Sequence, residues 1–363
     1  MALLADTISR LTAVGALVGA SFLTGTATQA QDVNFEGKTV EIMVNFAAGG
    51  GTDTAARLVA PFVAKHLPGN PSFIVTNKGG AGGTAAVDYL IDSVAPNGLT
   101  IGYFAGTPLR WALGMEQVPD GTGDLPFVVG RSVNQIFMTR KDLGLTIETF
   151  PGNQEPLFMA LNSPDNHVAI RAKLLANAIG AEKFKVVSGY DTQGKMVAAL
   201  RSGEAEVAQT NDSFYGSNKD ALEGDDVLVP LGQMGEFSGG KIVSQKGLEY
   251  IPVFDEVWRT AAADKVDTPE YHAWEALHMA MAVQNSFVLP PNTPAEFIPV
   301  WEAAILAAFS DPEYVAQLAE TGVPEPASMG AEDFAATMKR MKQSFSDPAV
   351  RAAIEAVIAS NME

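Results

Sequence analysis

Short apolar runs and helical periodicities alternate along most of this chain. Residues 39–46, 73–76 and 100–104 are short apolar runs of the kind that forms buried strands. Between them, residues 54–67 and 85–93 carry apolar side chains at the spacing of an amphipathic helix. This order of elements predicts a parallel sheet whose strands are joined by crossover helices.

A second series of the same kind follows after a less regular stretch. Residues 107–126 lack a periodic pattern, and residues 127–138 predict a strand that leaves the first unit. The second series is predicted as strand 157–161, helix 166–179, strand 184–188, helix 192–201 and strand 205–209. Beyond a helical region at 270–282 and an extended piece at 286–294, the tail is predicted as helices 294–308, 311–321, 331–345 and 347–361. The pattern therefore predicts a bilobed α/β protein with a helical C-terminal tail.

Two glycine-rich turns each connect a predicted strand to a predicted helix, at residues 46–53 and 77–84. A strand that ends in glycines and leads into a helix exposes backbone N–H groups at the positive end of the helix dipole. Thr52, Asn77 and Thr84 add small hydrogen-bonding side chains beside these amides. Because the carboxyl ends of neighbouring parallel strands face one crevice, both turns are expected to hold a small anionic molecule there.

The second turn also matches a nucleotide-binding pattern. Residues 80–85 satisfy G-x-G-x-x-[GA] after a strand and before a helix. The fingerprint requires an acidic residue about twenty positions further on, and the next strand ends instead in Ala105, Gly106 and Thr107. No cofactor, metal site or catalytic residue is predicted, and tight packing of the turns without a ligand stays an alternative.

Further candidates follow the strands of the second series. Tyr190 and Asp191 come after its second strand, and Asn211 and Asp212 come after its third. We expect these strand ends to face the same crevice. Asp53, in the first turn, is expected to be the N-cap of the following helix.

Length, charge and composition narrow the class of protein. A chain of 363 residues suits two lobes, and its net charge of −18 argues against nucleic acid and anionic membranes as partners. The chain has no Cys, which excludes disulfides and thiol chemistry. Residues 1–30 combine Arg10, a short apolar run and small residues before Ala30, which predicts a secretory signal peptide cleaved near Ala30 and a periplasmic location. An N-terminal membrane anchor or a disordered leader stays the alternative for this segment.

Four elements resemble the tripartite tricarboxylate transporter receptors, also called the Bug or TctC family. Residues 45–53 (NFAAGGGTD) followed by Ala56-Arg57 resemble the family's first signature, and residues 77–83 (NKGGAGG) are similar to its second. Residues 97–100 (NGLT) and 290–294 (PPNTP) match two further elements. Asn45 and Gly79 stand where the family has Pro, and both changes are expected to loosen the loops.

The resemblance implies a type II periplasmic-binding-protein fold with two lobes joined by hinge strands. It places lobe 1 at residues 31–135 plus 284–363 and lobe 2 at residues 136–283. It implies a monomer that holds a di-, tri- or aromatic carboxylate and delivers it to the small and large membrane subunits of such a transporter. From the loops and the strand ends, the expected ligand-binding residues are Phe46, Ala48, Gly49, Gly50, Thr52, Asp53, Asn77, Gly80, Ala81, Gly82, Gly83, Thr84, Gly106, Thr107, Tyr190, Asp191, Asn211 and Asp212.

Two other functions stay open at this point. A secreted α/β enzyme that acts on a small organic acid is one alternative. A ligand-sensing subunit that signals to a receptor is the other.

Overall fold

The computed structural model describes residues 33–115 and 117–362, so the predicted signal peptide at 1–30 lies outside the described residues. The two larger sheets in this part of the chain differ in their strand order. Within it, every helix is too short or too polar to cross a bilayer.

Thirteen strands and twelve α-helices are described between residues 33 and 362. The strands are β1 (Thr39–Val44), β2 (Ser72–Asn77), β3 (Thr100–Ala105), β4 (Phe127–Arg131), β5 (Gln135–Arg140), β6 (Leu157–Ala160), β7 (Phe184–Val187), β8 (Val207–Asn211), β9 (Leu228–Gln233), β10 (Glu236–Ser238), β11 (Lys241–Val243), β12 (Asn285–Val288) and β13 (Ser328–Met329). The helices are α1 (Gly51–His66), α2 (Thr84–Asp92), α3 (Thr107–Leu113), α4 (His167–Ala178), α5 (Gln193–Ser202), α6 (Asp212–Glu223), α7 (Phe254–Ala261), α8 (Pro269–Ala282), α9 (Phe297–Phe309), α10 (Pro312–Glu320), α11 (Ala331–Ser346) and α12 (Pro348–Met362).

The first sheet has the strand order β13-β4-β12-β3-β1-β2. Strand β1 lies parallel to β2 and β3, whereas β12 lies antiparallel to β3 and β4. Val40, Ile42 and Val44 of β1 pack into one core with α1 and α9, and Met43 faces the opposite side with α2. Because Ile42, Met43 and Val44 are buried on alternating faces of β1, the second half of the strand is a continuous apolar run.

The second sheet has the strand order β7-β6-β8-β5-β9. Strands β6, β7 and β8 are parallel, and β5 is antiparallel to β8 and β9. The chain enters this sheet through the step from β4 to β5 and returns to the first sheet through α8 and β12. These two crossings give the bilobed α/β architecture that the sequence predicts.

The C-terminal tail contacts both sheets. Helix α9 packs on α1 and β4, and β13 pairs with β4. Helices α11 and α12 pack on α8, α11 also packs on β4, and Phe334, Phe345 and Ile354 join the core that surrounds the second sheet. The division that assigns the whole tail to lobe 1 stays a prediction.

Two predictions of local structure between residues 107 and 138 are wrong. Residues 107–113 form α3, which begins with Pro108 in its first turn and ends at Gly114 with a positive φ of 70°. The single strand predicted for 127–138 is two strands in different sheets, separated by residues 132–134. Asn134 interrupts it because its side chain is buried and hydrogen-bonds Gln233 and Gln245 at 2.8 and 3.1 Å.

Candidate functional site

The two glycine turns leave adjacent strands at the same edge of the first sheet. Val44 at the end of β1 pairs in parallel register with Asn77 at the end of β2. The backbone N–H of Lys78 donates to the carbonyl of Val44 at 2.8 Å, which extends this pairing one residue further. Residues 46–53 and 77–84, named here the first and second glycine loops, therefore start side by side.

Asp53 fixes the shape of the first glycine loop. It is 3% exposed, and its carboxylate accepts hydrogen bonds from the Gly49 amide at 2.8 Å and from Arg57 Nε at 3.0 Å. Its other oxygen accepts from Asn77 Nδ2 at 2.9 Å. The hydrogen bond from Arg57, reinforced by the one from Gly49, lowers the pKa of Asp53 to about 2. The carboxylate thus stays charged and holds both loops together.

The prediction that Asp53 caps the following helix is wrong. Helix α1 begins at Gly51, so Gly50 is the N-cap residue and Asp53 lies within the first turn. Three consecutive glycines allow the helix to start earlier than its first apolar side chain indicates. The result places the Asp53 carboxylate beneath the loop and leaves the start of the helix without a side-chain cap.

Asn77 links the loops from the other side. Its Nδ2 donates to the carbonyl of Phe46 at 2.9 Å, and its Oδ1 accepts from Arg57 Nη2 at 3.0 Å. Both ends of the amide are occupied by these partners and by Asp53. Asn77 and Asp53 therefore position the loop backbone.

Asn45, which was expected to loosen the first loop, ties it instead to its neighbours. The side chain is fully buried, its Oδ1 accepts from the Ala105 amide at 3.0 Å, and its Nδ2 donates to the Ala105 carbonyl at 3.0 Å. The same Nδ2 lies 3.4 Å from the carbonyl of Gly83. Gly83 has a φ of 98°, and a Cβ there would lie 2.7 Å from Asn45 Nδ2. Only glycine fits this position without moving the contact.

The exposed part of each loop presents backbone amides to solvent. Residues 47–51 and 79–82 are exposed. In the described part of the chain, the backbone N–H groups of Gly51, Thr52, Gly80, Ala81 and Gly82 donate no hydrogen bond. The first turn of α1 adds the positive end of its dipole beside them. This edge of the sheet is thus able to bind an oxyanion through neutral donors.

Three other predicted residues of lobe 1 have their own partners. The Thr84 hydroxyl donates to the Ala81 carbonyl at 2.9 Å and closes the turn of the second loop. The Gly106 amide donates to the Gln284 carbonyl at 2.8 Å, and Thr107 is 4% exposed at the start of α3. These three residues are therefore part of the folded structure beside the glycine loops.

The predicted residues of lobe 2 follow β7 and β8. Asn211 is the N-cap of α6, with its Oδ1 accepting from the Phe214 amide at 2.7 Å. Asp212 is 3% exposed and accepts from Gln245 Nε2 at 3.2 Å and from the Ser213 amide at 2.8 Å. Burial raises the pKa of Asp212. Asn211 therefore caps the start of α6, and Asp212 belongs to a buried cluster of side-chain amides.

Tyr190 and Asp191 lie at the far end of the second sheet, after its edge strand β7. The Tyr190 amide donates to the Leu161 carbonyl at 3.1 Å, and the side chain is half-buried. Asp191 is exposed and pairs with Lys195 at 2.7 Å. The exposed pair lowers the pKa of Asp191.

Buried polar side chains that the sequence did not single out lie at the start of β5. Arg171 of α4 is fully buried; its Nη2 contacts Gln135 Oε1, while its Nη1 has no hydrogen-bond partner among residues 33–115 and 117–362. Burial lowers the pKa of Arg171 to about 9. An arginine between apolar residues of a predicted helix, as in Ile170-Arg171-Ala172, was the one available signal.

No protein-family model matches the sequence, and no curated protein matches it either. Solved structures do match. A TctC solute binding protein from Polaromonas, without ligand, has a TM-score of 0.64 at 20% identity, covering 88% of this chain and 98% of that one. R. palustris Rpa4515 with adipate has a TM-score of 0.55 at 19% identity, with coverages of 87% and 97%. MatC from Rhodopseudomonas palustris with bound malate has a TM-score of 0.50 at 19% identity, with coverages of 88% and 98%.

These likenesses extend over nearly the whole of the described chain at low sequence identity. They cover 87–88% of this chain and 97–98% of the matched chains. The chain therefore has the bilobed fold of the type II periplasmic binding proteins.

Proposed function

We propose that this protein is a periplasmic receptor that binds a small organic carboxylate between its two lobes and delivers it to a membrane transporter. The observation that carries the proposal is the pair of glycine loops. They leave adjacent strands, are tied together by Asp53 and Asn77, and turn unpaired backbone amides toward solvent. Such amides suit a carboxylate because they supply several donors without adding a competing charge.

Neutral donors also explain how a strongly acidic protein can bind an anion. The chain carries a net charge of −18, so its overall field opposes the approach of an anion. A hydrogen bond to a charged group contributes roughly 1.5–3 kcal/mol, and three or four of them supply about 5–10 kcal/mol. A micromolar dissociation constant corresponds to about 8 kcal/mol, so a few amides are sufficient.

The resemblance of the loop sequences favours the tripartite tricarboxylate transporter receptors as the family. Under this proposal the partners are the small and large membrane subunits of such a transporter, and the receptor is a monomer without catalytic activity. The solved structures with this fold carry the names of solute-binding proteins and transporters, and two of them hold malate or adipate. This favours a receptor over the enzyme and sensor alternatives.

We further propose that the ligand lies against both lobes. Lobe 1 (residues 31–135 and 284–363) supplies the amides of the two loops, next to Gly106 and Thr107. Lobe 2 (residues 136–283) contributes the backbone of the strand ends at residues 190–191 and 211–212, because the side chains of Asp191, Asn211 and Asp212 are bonded to partners of their own. Closure of the lobes removes water from the carboxylate and strengthens each hydrogen bond to it.

The proposal is tested by a ligand screen on the purified protein. Malate, adipate, citrate and benzoate are added separately, and thermal unfolding is followed with and without each acid. At a concentration 100 times the dissociation constant, a ligand stabilises the folded state by about 2.7 kcal/mol. An increase in Tm with at least one acid, absent with its neutral diamide or amide, supports the proposal. If no member of a broad carboxylate panel shifts Tm, the protein does not bind carboxylates.

The predicted export is tested separately. The protein is expressed from residue 1, recovered from the periplasmic fraction, and its N-terminus is sequenced. A mature N-terminus near residue 31 supports the signal peptide. Recovery of the intact chain in the cytoplasm contradicts it.

A further inference from the structure

A large cavity lies outside the glycine loops, between α11 and the segment that joins α3 to β4. Its volume is about 830 Å³, which is in the range of sites that hold small molecules. The lining includes the aromatic side chains of Trp111, Phe127 and Phe334 and the charged side chains of Lys339, Lys342 and Asp347. None of these residues belongs to either glycine loop or to the strand ends of lobe 2.

The walls of this cavity are aromatic and rigid. The rings of Phe127 and Phe334 stack with their centroids 4.8 Å apart and their planes 12° apart. Trp111 lies flat against Gly123, where an added Cβ would sit 2.5 Å from the indole ring. The Trp111 ring therefore packs on the backbone of Gly123, and the Phe127 ring packs on the fully buried ring of Phe334.

The rim of the cavity carries positive charge. Lys342 Nζ donates to the carbonyls of Trp111 and Ala112 at 3.1 and 3.4 Å and lies 4.9 Å from the centroid of the Trp111 ring. These two bonds leave one of its three N–H donors for another acceptor. Lys339 is exposed one turn earlier on the same helix. Two ammonium groups outweigh Asp347, the single acidic residue of the lining.

We infer that this cavity is a second binding site, for an amphipathic carboxylate with one alkyl or aryl body and one anionic head. The body contacts the partly exposed rings of Phe127, which stacks on the fully buried Phe334, and of Trp111, where burial removes apolar surface from water. The head accepts hydrogen bonds from Lys339 and Lys342. A small di- or tricarboxylate does not match this site, because charges at both ends would leave one of them against the aromatic wall.

Trp111 provides a direct readout of occupancy. The other tryptophans, Trp258, Trp274 and Trp301, are fully buried, whereas Trp111 is partly exposed at the cavity. A ligand in the cavity therefore changes the fluorescence of Trp111 chiefly. The probe is decanoate, used below its micellar concentration, and the matched neutral probe is decanol.

The expected result is saturable quenching or a blue shift of the tryptophan fluorescence with decanoate. Decanol binds more weakly because it has no charge for the two lysines. In the double variant Lys339→Met, Lys342→Met, decanoate binds roughly tenfold more weakly because charged hydrogen bonds are lost. The control Lys183→Met removes an exposed ammonium group elsewhere and leaves decanoate affinity unchanged.

Decanoate binding by two further variants also tests the second site. Ala335→Phe, at an exposed lining position of α11, fills the cavity and abolishes decanoate binding without removing a buried contact. Decanoate affinity stays unchanged in Asp53→Ala, so failure of the glycine loops as a ligand site leaves this site intact. Absence of a saturable signal overturns the inference. Equal affinity for decanoate and decanol, unaffected by the lysine double variant, also overturns it.

Discussion

Asp53 and Asp212 occupy similar positions in the two lobes but differ in their surroundings. Each follows a strand, lies in the first turn of a helix and is 3% exposed. Arg57, Gly49 and Asn77 lower the pKa of Asp53 to about 2, whereas burial raises the pKa of Asp212 despite its own donors. Asp53 supports an exposed loop with free amides, and Asp212 belongs to a buried amide cluster with Gln245 and Asn134.

In the first glycine loop the buried carboxylate supports exposed backbone, whereas after β8 the buried carboxylate bonds side-chain amides in the interior. In lobe 1 the polar side chains satisfy one another and leave the backbone amides exposed. In lobe 2 the corresponding side chains cap a helix or fill the interior. We therefore expect substitutions around the glycine loops to change affinity and those at Asn211 and Asp212 to change stability.

The largest effect is expected for Asp53→Ala. The substitution removes the acceptor of the Gly49 amide, Asn77 and Arg57 at once, so the loops lose their relative position. Affinity for the best acid of the screen falls by about 100-fold or more, since each lost bond involves a charged partner. Titration calorimetry measures it, with Asp88→Ala on the exposed side of α2 as the control. Equal affinities in the two variants would contradict the role given to Asp53.

A smaller loss of affinity is expected for Gly83→Ala. The residue has a φ of 98°, and the new Cβ would contact Asn45 Nδ2, which displaces the second loop. We expect the dissociation constant to increase roughly tenfold, because strain at such positions is of order 1–3 kcal/mol.

Gly144→Ala is the matched control for Gly83→Ala. Its φ is also positive, at 60°, but no atom lies within 4 Å of the added Cβ. It therefore introduces backbone strain without a steric contact, lowers Tm and leaves affinity unchanged. A loss of affinity in the control as large as in Gly83→Ala would show that strain alone explains the effect.

The pH dependence of unfolding separates the two aspartates without a ligand. The pKa of Asp53 is lowered from 3.8 to about 2, so its stabilisation is complete above about pH 4 and is lost as the pH falls toward 2. The stability advantage of the wild type over Asp53→Asn therefore shrinks with acidification. Urea unfolding at a series of pH values measures this advantage.

For Asp212 we expect the opposite dependence of folding stability on pH. Its pKa is raised, so ionisation is the unfavourable step in the folded state and its cost grows as the pH rises above 3.8. The stability of Asp212→Asn relative to the wild type therefore increases as the pH rises above 3.8, until the carboxyl ionises in the folded state. Parallel slopes for the two variants would refute the contrast between the sites.

The smallest effect is expected for Asp191→Ala. Its partner Lys195 lies one helical turn away, and both side chains are more than half exposed. Exposed pairs of this kind contribute little, so we expect less than about a twofold change in affinity and no resolvable change in Tm. A large loss of affinity would place Asp191 at the ligand and extend the site in lobe 2.

The sequence predicted the elements well where periodicity is strong. The strands and helices from Thr39 to Ala105 and the tail from Phe297 to Met362 lie within a few residues of their predicted bounds. The glycine loops were found because glycines between a strand and a helix have a direct backbone consequence. The bilobed α/β fold followed from two successive series of such units.

The errors arose where a side chain's partner is distant in sequence. Asn45 bonds residues 38 and 60 positions away, and sequence reasoning assigned its effect from the missing proline alone. Asp53 was assigned to the helix cap because the three preceding glycines hid the true start of α1. The predicted ligand contact of Asp212 is not one of these errors and stays a prediction, but its burial and its bond to Gln245 could not be read from the sequence.

The central claim is that backbone amides of the two glycine loops hold the carboxylate. A crystal structure of the protein with the best acid of the screen tests it most directly. The account predicts carboxylate oxygens within hydrogen-bonding distance of amides from both loops, among them Gly51 or Thr52 and Gly80, Ala81 or Gly82. A carboxylate bound elsewhere, with these amides still facing water, would contradict it.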